Sequence, residues 1–347
     1  MKNRYFEAAV LEKLKKKLKI YKVSFPTLQL GQVLIKIYYS GLCGSQIFEI
    51  NGDRDNNKYL PHMLGHEATG KVIKIGKGVK RFKIGDRVLL TWIKCAGINS
   101  HNPVYTSYGQ KKIQINSGKI TTLSNYSVIS ENRIFKLPKN VSYKTGVLLG
   151  CALPTGAGMI KNQVKINKSK SIAIIGTGGV GLSSLLASIY LKAKKIDVFD
   201  KNQARLLFLK KKIKDNNVNF FNSSEIQNKS LSNFYDYIIE SSGVVYNIEK
   251  SIKMIKNNGK VIFATHPKKF SKIKLDPFDL IIGKKIQGSW GGKTVFKRDL
   301  KFMNNIICYF KNINSIYFSK SYTLKKINNA VFDMKRGKVI RPLIKMY

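Results

Sequence analysis

At 347 residues the chain is long for one hydrophobic core, so two domains are expected. Hydrophobic residues at 43% and aromatics at 11% exclude a disordered chain, and no stretch approaches the roughly 18 apolar residues that would span a membrane. The net charge is +44, but its lysines are spread along the whole chain rather than gathered into a footprint. Nucleic acid is therefore not expected as a partner, although anionic ligands would be steered in.

Residues 1–150 read as short strands joined by glycine turns. GQVLIKIYYSG (31–41) alternates Val33, Ile35 and Ile37 on one face, as a half-buried strand does, and ATGKVIKIGKGVKRFKIGDRVLL (68–90) repeats the style with Gly76, Gly78 and Gly85 as turns. Dense basic runs such as KLKKKLKI (13–20) fit a solvated strand or helix face. The pattern changes after about residue 152. Strand-like SIAIIG (171–176), KIDVFD (195–200), YDYIIESSG (235–243) and KVIFATHP (260–267) alternate with helix-like 181–193, 202–214 and 247–259. A last strand is expected near 284–292, and the mixed tail ends in strand-like VIRPLIKMY. This alternation predicts right-handed βαβ units: an α/β fold with a doubly wound parallel sheet, joined to a β-rich domain.

Gly176, Gly178 and Gly181 form G-x-G-x-x-G between a strand and a helix, and Asp200 ends the next strand, 24 residues after Gly176. The first glycine allows the tight turn, the second the approach of a pyrophosphate, and the third close helix packing; the helix N-terminus faces the phosphates. A carboxylate at Asp200 accepts from ribose hydroxyls and repels a 2′-phosphate, which favours NAD over NADP. Lys201 and Arg205 are the cations that could answer a phosphate there.

His62 and His66 are four apart in PHMLGHEATG, but Pro61 and Gly65 break a helix and Glu67 follows the second histidine, so the pair is not a helical zinc motif. Cys43 and Cys151 each sit beside glycines. By spacing alone, Cys43, His66 and Cys151 are either three ligands of an open zinc site or two buried structural cysteines and an ordinary histidine. The four cysteines, Cys43, Cys95, Cys151 and Cys308, are too few for a disulfide framework, and the N-terminus has no apolar signal segment. Reduced thiols and a cytoplasmic location are expected.

GLCGSQ (41–46), MLGHEATGKVIKIGKGVKRFKIGDRV (63–88), LLGCALPTGAG (148–158) and GTGGVG (176–181) stand in the order and spacing of their counterparts in the zinc-dependent alcohol dehydrogenases of the medium-chain dehydrogenase/reductase family. The chain resembles that family along essentially its whole length, through the C-terminal GKVIRPLIKMY. The resemblance implies a GroES-like catalytic domain from residues 1–152 and 290–347, with a Rossmann NAD-binding domain, 153–289, inserted between. It implies Cys43, His66 and Cys151 as ligands of a catalytic Zn2+, Glu67 as a nearby acid, and Ser45 as the hydroxyl taking the alcohol proton. It also implies Thr155 and Val180 as cofactor contacts, Arg341 at the pyrophosphate, and Gly179 within the glycine turn. A homodimer or homotetramer goes with it.

Three departures stand out. Many family members bind a second, structural zinc through four clustered cysteines, whereas 90–110 holds Cys95 alone, so one zinc and no structural one are expected. Gln46 stands where the family often has an aspartate orienting the histidine ligand, and Phe48 where some members have a proton-passing histidine. The reading is an NAD-linked, zinc-dependent oxidoreductase acting on an alcohol, with a polyol, sugar derivative or thiol adduct suggested by the polar and aromatic stretch GINSHNPVYTSYG (97–109). The alternatives are a zinc-free NADPH-dependent quinone or enone reductase of the same fold, and a basic nucleic-acid-binding scaffold with an inactive dehydrogenase fold.

Overall fold

The computed structural model describes residues 4–54, 57–228 and 231–347. It divides into two compact units, residues 1–151 with 313–347, and residues 152–312.

The first unit is built around strand Gln32–Gly41, which pairs antiparallel with Glu67–Ile75, Tyr126–Ser130 and Leu343–Lys345. The largest sheet continues on one side through Arg87–Thr91 to Ile134–Lys136, and on the other to Ser321–Thr323. The central strand was expected to be half-buried, yet Val33, Ile35 and Ile37 enter one core while Leu34 enters a second with Phe6, Tyr105 and Val128. Both faces are covered, because a strand with three partners sits inside the unit. The end of the chain is needed here: Leu343 and Ile344 are fully buried against the central strand.

A smaller sheet runs Lys19–Ser24, Tyr5–Leu11, His62–Met63. His62, expected in a loop, is thus part of a short strand opposite Leu11, with Nδ1 3.0 Å from the Met63 carbonyl. The apolar neighbours Leu60, Met63 and Leu64 pack into the cores and carry it in.

The second unit holds a six-stranded, wholly parallel sheet. Its order is Val218–Asn222, Lys195–Asp200, Ser171–Ile175, Tyr235–Glu240, Ile255–Phe263, Lys285–Gly288. Counted within the unit this is 3-2-1-4-5-6, the doubly wound order of dinucleotide-binding sheets. Helices Gly179–Tyr190, Gln203–Lys212 and Val245–Met254 make crossovers. The strand Val218–Asn222 escapes the hydropathy pattern because VNFFN is half-buried at a sheet edge. The fifth strand starts at Ile255, inside the stretch expected to be helical: Asn258 takes φ 63 and the pairing with 235–240 shifts register between Tyr235 and Tyr237. The unit also runs on to Asn312, beyond the expected 289, because helix Phe296–Tyr309 belongs to it. Phe302 and Tyr309 meet Tyr190, and Asp299 pairs with Lys161. Among the described residues no helix is long and apolar enough to cross a membrane.

Candidate metal centre and dinucleotide turn

In the first unit the sequence elements converge on one sulfur-rich spot. Cys43 is the N-cap of helix Gly44–Asn51, in extended conformation at φ −101. His66 ends the turn that follows His62–Met63 and leads into strand Glu67–Ile75. The turn needs Gly65: its φ is +99, and a Cβ there would lie 2.4 Å from Thr122 Oγ1. Cys151 follows the 3-10 turn Val147–Gly150, whose residues are all buried.

Cys43 Sγ and Cys151 Sγ are 4.0 Å apart, His66 Nε2 is 3.2 Å from Cys151 Sγ, and all three donor atoms lie within 4.8 Å of one another. Tetrahedral zinc with bonds of about 2.3 Å to sulfur would set two sulfurs about 3.8 Å apart, so the spacing fits the ion. No disulfide joins the cysteines. Three protein ligands of S, N, S type leave one position open, the pattern of a catalytic site rather than a closed structural one. The hydrogen bond from Cys151, helped by the charge of Arg341, holds the Cys43 thiol well below its ordinary pKa, while the same bond and burial push Cys151 well above. Cys43 also stands at the N-terminus of a helix, whose dipole favours negative charge on its sulfur.

Two groups surround these donors. Ser45 Oγ lies 3.5 Å from His66 Nδ1, and Gln46 Nε2 lies 2.6 Å from the same atom. Gln46, buried, also accepts the Cys43 backbone N–H on Oε1 at 3.0 Å. Phe48 lies on the same helix, Gly44–Asn51, and is partly exposed. Beside the donors is a buried ion pair. Arg341 Nε donates to Glu67 Oε1 at 2.7 Å and Nη2 lies 2.5 Å from Oε2, with the side chains 2% and 0% exposed. Burial raises the Glu67 pKa against the pull of Arg341; burial opposes the charge on Arg341, but Cys43 and Glu67 overcome it and keep the guanidinium charged. Arg341, expected at a pyrophosphate, is held in place by Glu67. Room for that carboxylate comes from Gly41 and Gly150, which sequence reasoning passed over. A Cβ on Gly41 would lie 2.0 Å from Glu67 Oε1, and one on Gly150 2.6 Å from Glu67 Cβ. The signal was present only as glycines flanking both cysteine motifs.

Cys95 stands apart from this centre. Its Sγ donates to the Ile93 carbonyl at 3.3 Å, and burial pushes its pKa to about 12. The loop around it is fastened by Glu131, which accepts from the backbones of Lys80, Arg81 and Ile98. Within the stretch 97–109, whose polar and aromatic character suggests a hydroxylated substrate, Ser100, Tyr105 and Ser107 are buried and serve packing. Tyr105 is fully buried in a core, its hydroxyl accepting the Val128 backbone N–H at 2.9 Å, and Ser100 donates to the Leu30 carbonyl.

In the second unit the glycine turn takes the expected form. Gly176 sits at φ +87 where a Cβ would come 2.9 Å from the Ser242 nitrogen, and a Cβ on Gly181 would come 1.9 Å from the Gly176 oxygen. A Cβ on Gly178, by contrast, would meet nothing within 4 Å. The protein's own packing does not require glycine at 178, and the open space over it is a cradle a phosphate can enter. Gly179 and Val180 open the helix Gly179–Tyr190. Thr155 is buried on helix Ala152–Gly158, which crosses that helix so closely that a Cβ on Gly156 would lie 2.3 Å from the Val180 oxygen. Asp200 Oδ2 accepts the Thr177 N–H at 2.7 Å and hydroxyl at 2.5 Å, and Arg205 Nη1 lies 3.4 Å from it. The acid is thereby tied to the glycine turn, and the cation beside it is engaged on the acid.

Known proteins are similar to this chain in sequence and in fold. Residues 29–139 match the alcohol dehydrogenase GroES-like domain. The chain is 26% identical to an S-(hydroxymethyl)glutathione dehydrogenase of Synechocystis sp., covering 97% of this chain and 98% of that one. It is 27% identical to a class-3 alcohol dehydrogenase of Dictyostelium discoideum, over 98% and 97%. In fold it is similar to the crystal structure of benzyl alcohol dehydrogenase from Acinetobacter calcoaceticus, at TM-score 0.85 and 23% identity, with 99% of this chain and 100% of that one covered.

Proposed function

Because the chain belongs to the zinc-dependent alcohol dehydrogenases of the medium-chain dehydrogenase/reductase family, we propose that it transfers hydride between an alcohol and NAD with one zinc ion held by Cys43, His66 and Cys151. The carrying observation is the convergence of two sulfurs and an imidazole nitrogen within 4.8 Å. A metal-free reductase of the same fold has no use for two thiols at one spot. Zinc bound there supplies Lewis acidity, which lowers the pKa of an alcohol and makes its carbon a better hydride donor.

The chain's own groups do the rest. Cys43 and Ser45 lie two residues apart at one helix start, so the turn that fixes the sulfur also fixes the hydroxyl. In this reading Ser45 receives the alcohol proton. Phe48 has no ionisable group, so the proton leaves by water or the cofactor ribose. Glu67 and Arg341 form a charge-balanced floor beside the donors. The glycine turn, with Gly176, Gly178, Gly179, Val180 and Gly181, receives the pyrophosphate at a helix N-terminus, and Thr155 is a further cofactor contact. Asp200 favours the free ribose of NAD, and Arg205, already engaged on Asp200, is spent as a phosphate partner. No structural zinc is included, since Cys95 is a lone, high-pKa thiol. A reducing cytoplasm is part of the reading, since none of the four cysteines, all among the described residues, is joined in a disulfide. A dimer or tetramer of this chain is part of the reading, supported by exposed Phe278, Ile281 and Trp290 near the edge strand Lys285–Gly288. The partner is a small alcohol or carbonyl; S-(hydroxymethyl)glutathione, named in one relative above, is an anionic candidate that the +44 charge would attract.

Zinc per chain, measured by elemental analysis on protein purified without chelator, tests the reading together with NADH absorbance across an alcohol panel. About one zinc, lost in Cys43→Ser and Cys151→Ser but kept in Cys95→Ser, with alcohol-dependent NADH formation, supports it. Zinc-free wild-type protein that reduces quinones with NADPH would replace it with the reductase.

A further inference from the structure

Gln46 is a buried amide with two tasks that fix its orientation. Its oxygen accepts the Cys43 backbone N–H at 3.0 Å, so its nitrogen is the atom left facing His66 Nδ1, at 2.6 Å. An amide nitrogen only donates. His66 Nδ1 must then offer its lone pair, and the proton of the neutral ring sits on Nε2, aimed at Cys151 Sγ 3.2 Å away. That is the nitrogen a metal in the Cys43–His66–Cys151 site needs bare. Ligation through Nε2 moves the proton to Nδ1, where it would point at the Gln46 N–H. Turning the amide over relieves that conflict only by pointing its nitrogen at the Cys43 N–H, so one of the two hydrogen bonds is lost in either orientation.

We infer that Gln46 is a positioning residue that holds His66 in the tautomer opposed to metal ligation, making this a weakly held, readily exchanged zinc site. A carboxylate at 46 would accept from both Cys43 N–H and His66 Nδ1–H at once. Glutamate is the isosteric replacement. The inference rests on the zinc-site reading above, and it concerns how tightly the metal is held rather than whether the chemistry occurs.

The test compares wild type with Gln46→Glu in zinc competition against a graded chelator, with 15N spectra of the histidine side chains in the metal-free proteins. Expected are Nε2-protonated His66 in the wild type, Nδ1-protonated His66 in Gln46→Glu, and zinc held roughly 10–100-fold more tightly by the variant. Thermal unfolding of both metal-free proteins separates this from a simple change in folding. Equal or weaker zinc binding by a folded Gln46→Glu, or an Nδ1-protonated His66 in the wild type, overturns the inference. Failure of both proteins to bind zinc at any chelator level overturns the zinc-site reading itself.

Discussion

Gly41 and Glu67 face each other so closely that a Cβ on the glycine would stand 2.0 Å from Glu67 Oε1. The glycine has no left-handed backbone requirement; it is there because the carboxylate, fully buried and forked on Arg341, fills the volume a side chain would use. Gly41→Ala is therefore expected to displace the ion pair and lower stability by roughly 3 kcal/mol. Chemical denaturation reads this directly; a variant within about 0.5 kcal/mol of wild type would show that the carboxylate relocates freely.

The ion pair itself makes a second prediction. Removing one partner leaves a buried charge unpaired, so Glu67→Leu or Arg341→Met alone should cost roughly 3–5 kcal/mol. The double substitution removes both charges and should recover much of that loss. A double-mutant cycle by urea unfolding checks it, and additive losses would mean that the two charges do not depend on each other.

The glycine turn separates packing from ligand binding. Gly181→Ala drives a methyl to 1.9 Å from the Gly176 oxygen and should destabilise the second unit by roughly 1–3 kcal/mol. Gly178→Ala has open space and φ −66, so its stability should stay within about 0.5 kcal/mol of wild type. Its methyl would occupy the space proposed for the pyrophosphate, and calorimetry should show NAD affinity falling at least about tenfold. Unchanged NAD affinity in Gly178→Ala would remove the phosphate from that space.

Asp236 supplies a pH dependence through Ser171, at the opposite end of strand Ser171–Ile175 from the glycine turn. Burial acts to raise its pKa, but the Ser171 backbone N–H and hydroxyl, with Lys256 and Lys170, hold it at about 2. A folded pKa below the unfolded value of about 3.9 stabilises above that value and ceases to do so as pH falls through the folded one. Asp236→Asn should thus be less stable than wild type near pH 7, by roughly 1 kcal/mol after allowance for solvent screening. The gap should narrow as pH drops from about 5 toward 2. Urea midpoints measured down this range decide it, and a gap that stays constant would assign the effect to geometry rather than charge.

Local pattern by itself determined a good deal. The apolar runs 171–175, 195–200 and 235–240, each leading into a turn or helix, specify the parallel sheet because strand and helix periodicities differ and crossovers have one hand. The glycine spacing 176–181 followed by Asp200 located the tight turn between strand and helix, since only glycine fits at Gly176 and Gly181. Cys43, His66 and Cys151 were visible as residue types with the right chemistry, 23 and 85 residues apart in sequence. Only tertiary structure decided what spacing cannot carry. It brought those three donors within 4.8 Å, took Leu343 and Ile344 back to the central strand, and kept 290–312 with the second unit. It also put His62 in a strand, Tyr105 in a core, and Arg341 on Glu67. These outcomes depend on contacts between residues far apart along the chain. Their energies come from burial and charge pairing that a window of neighbouring residues does not contain.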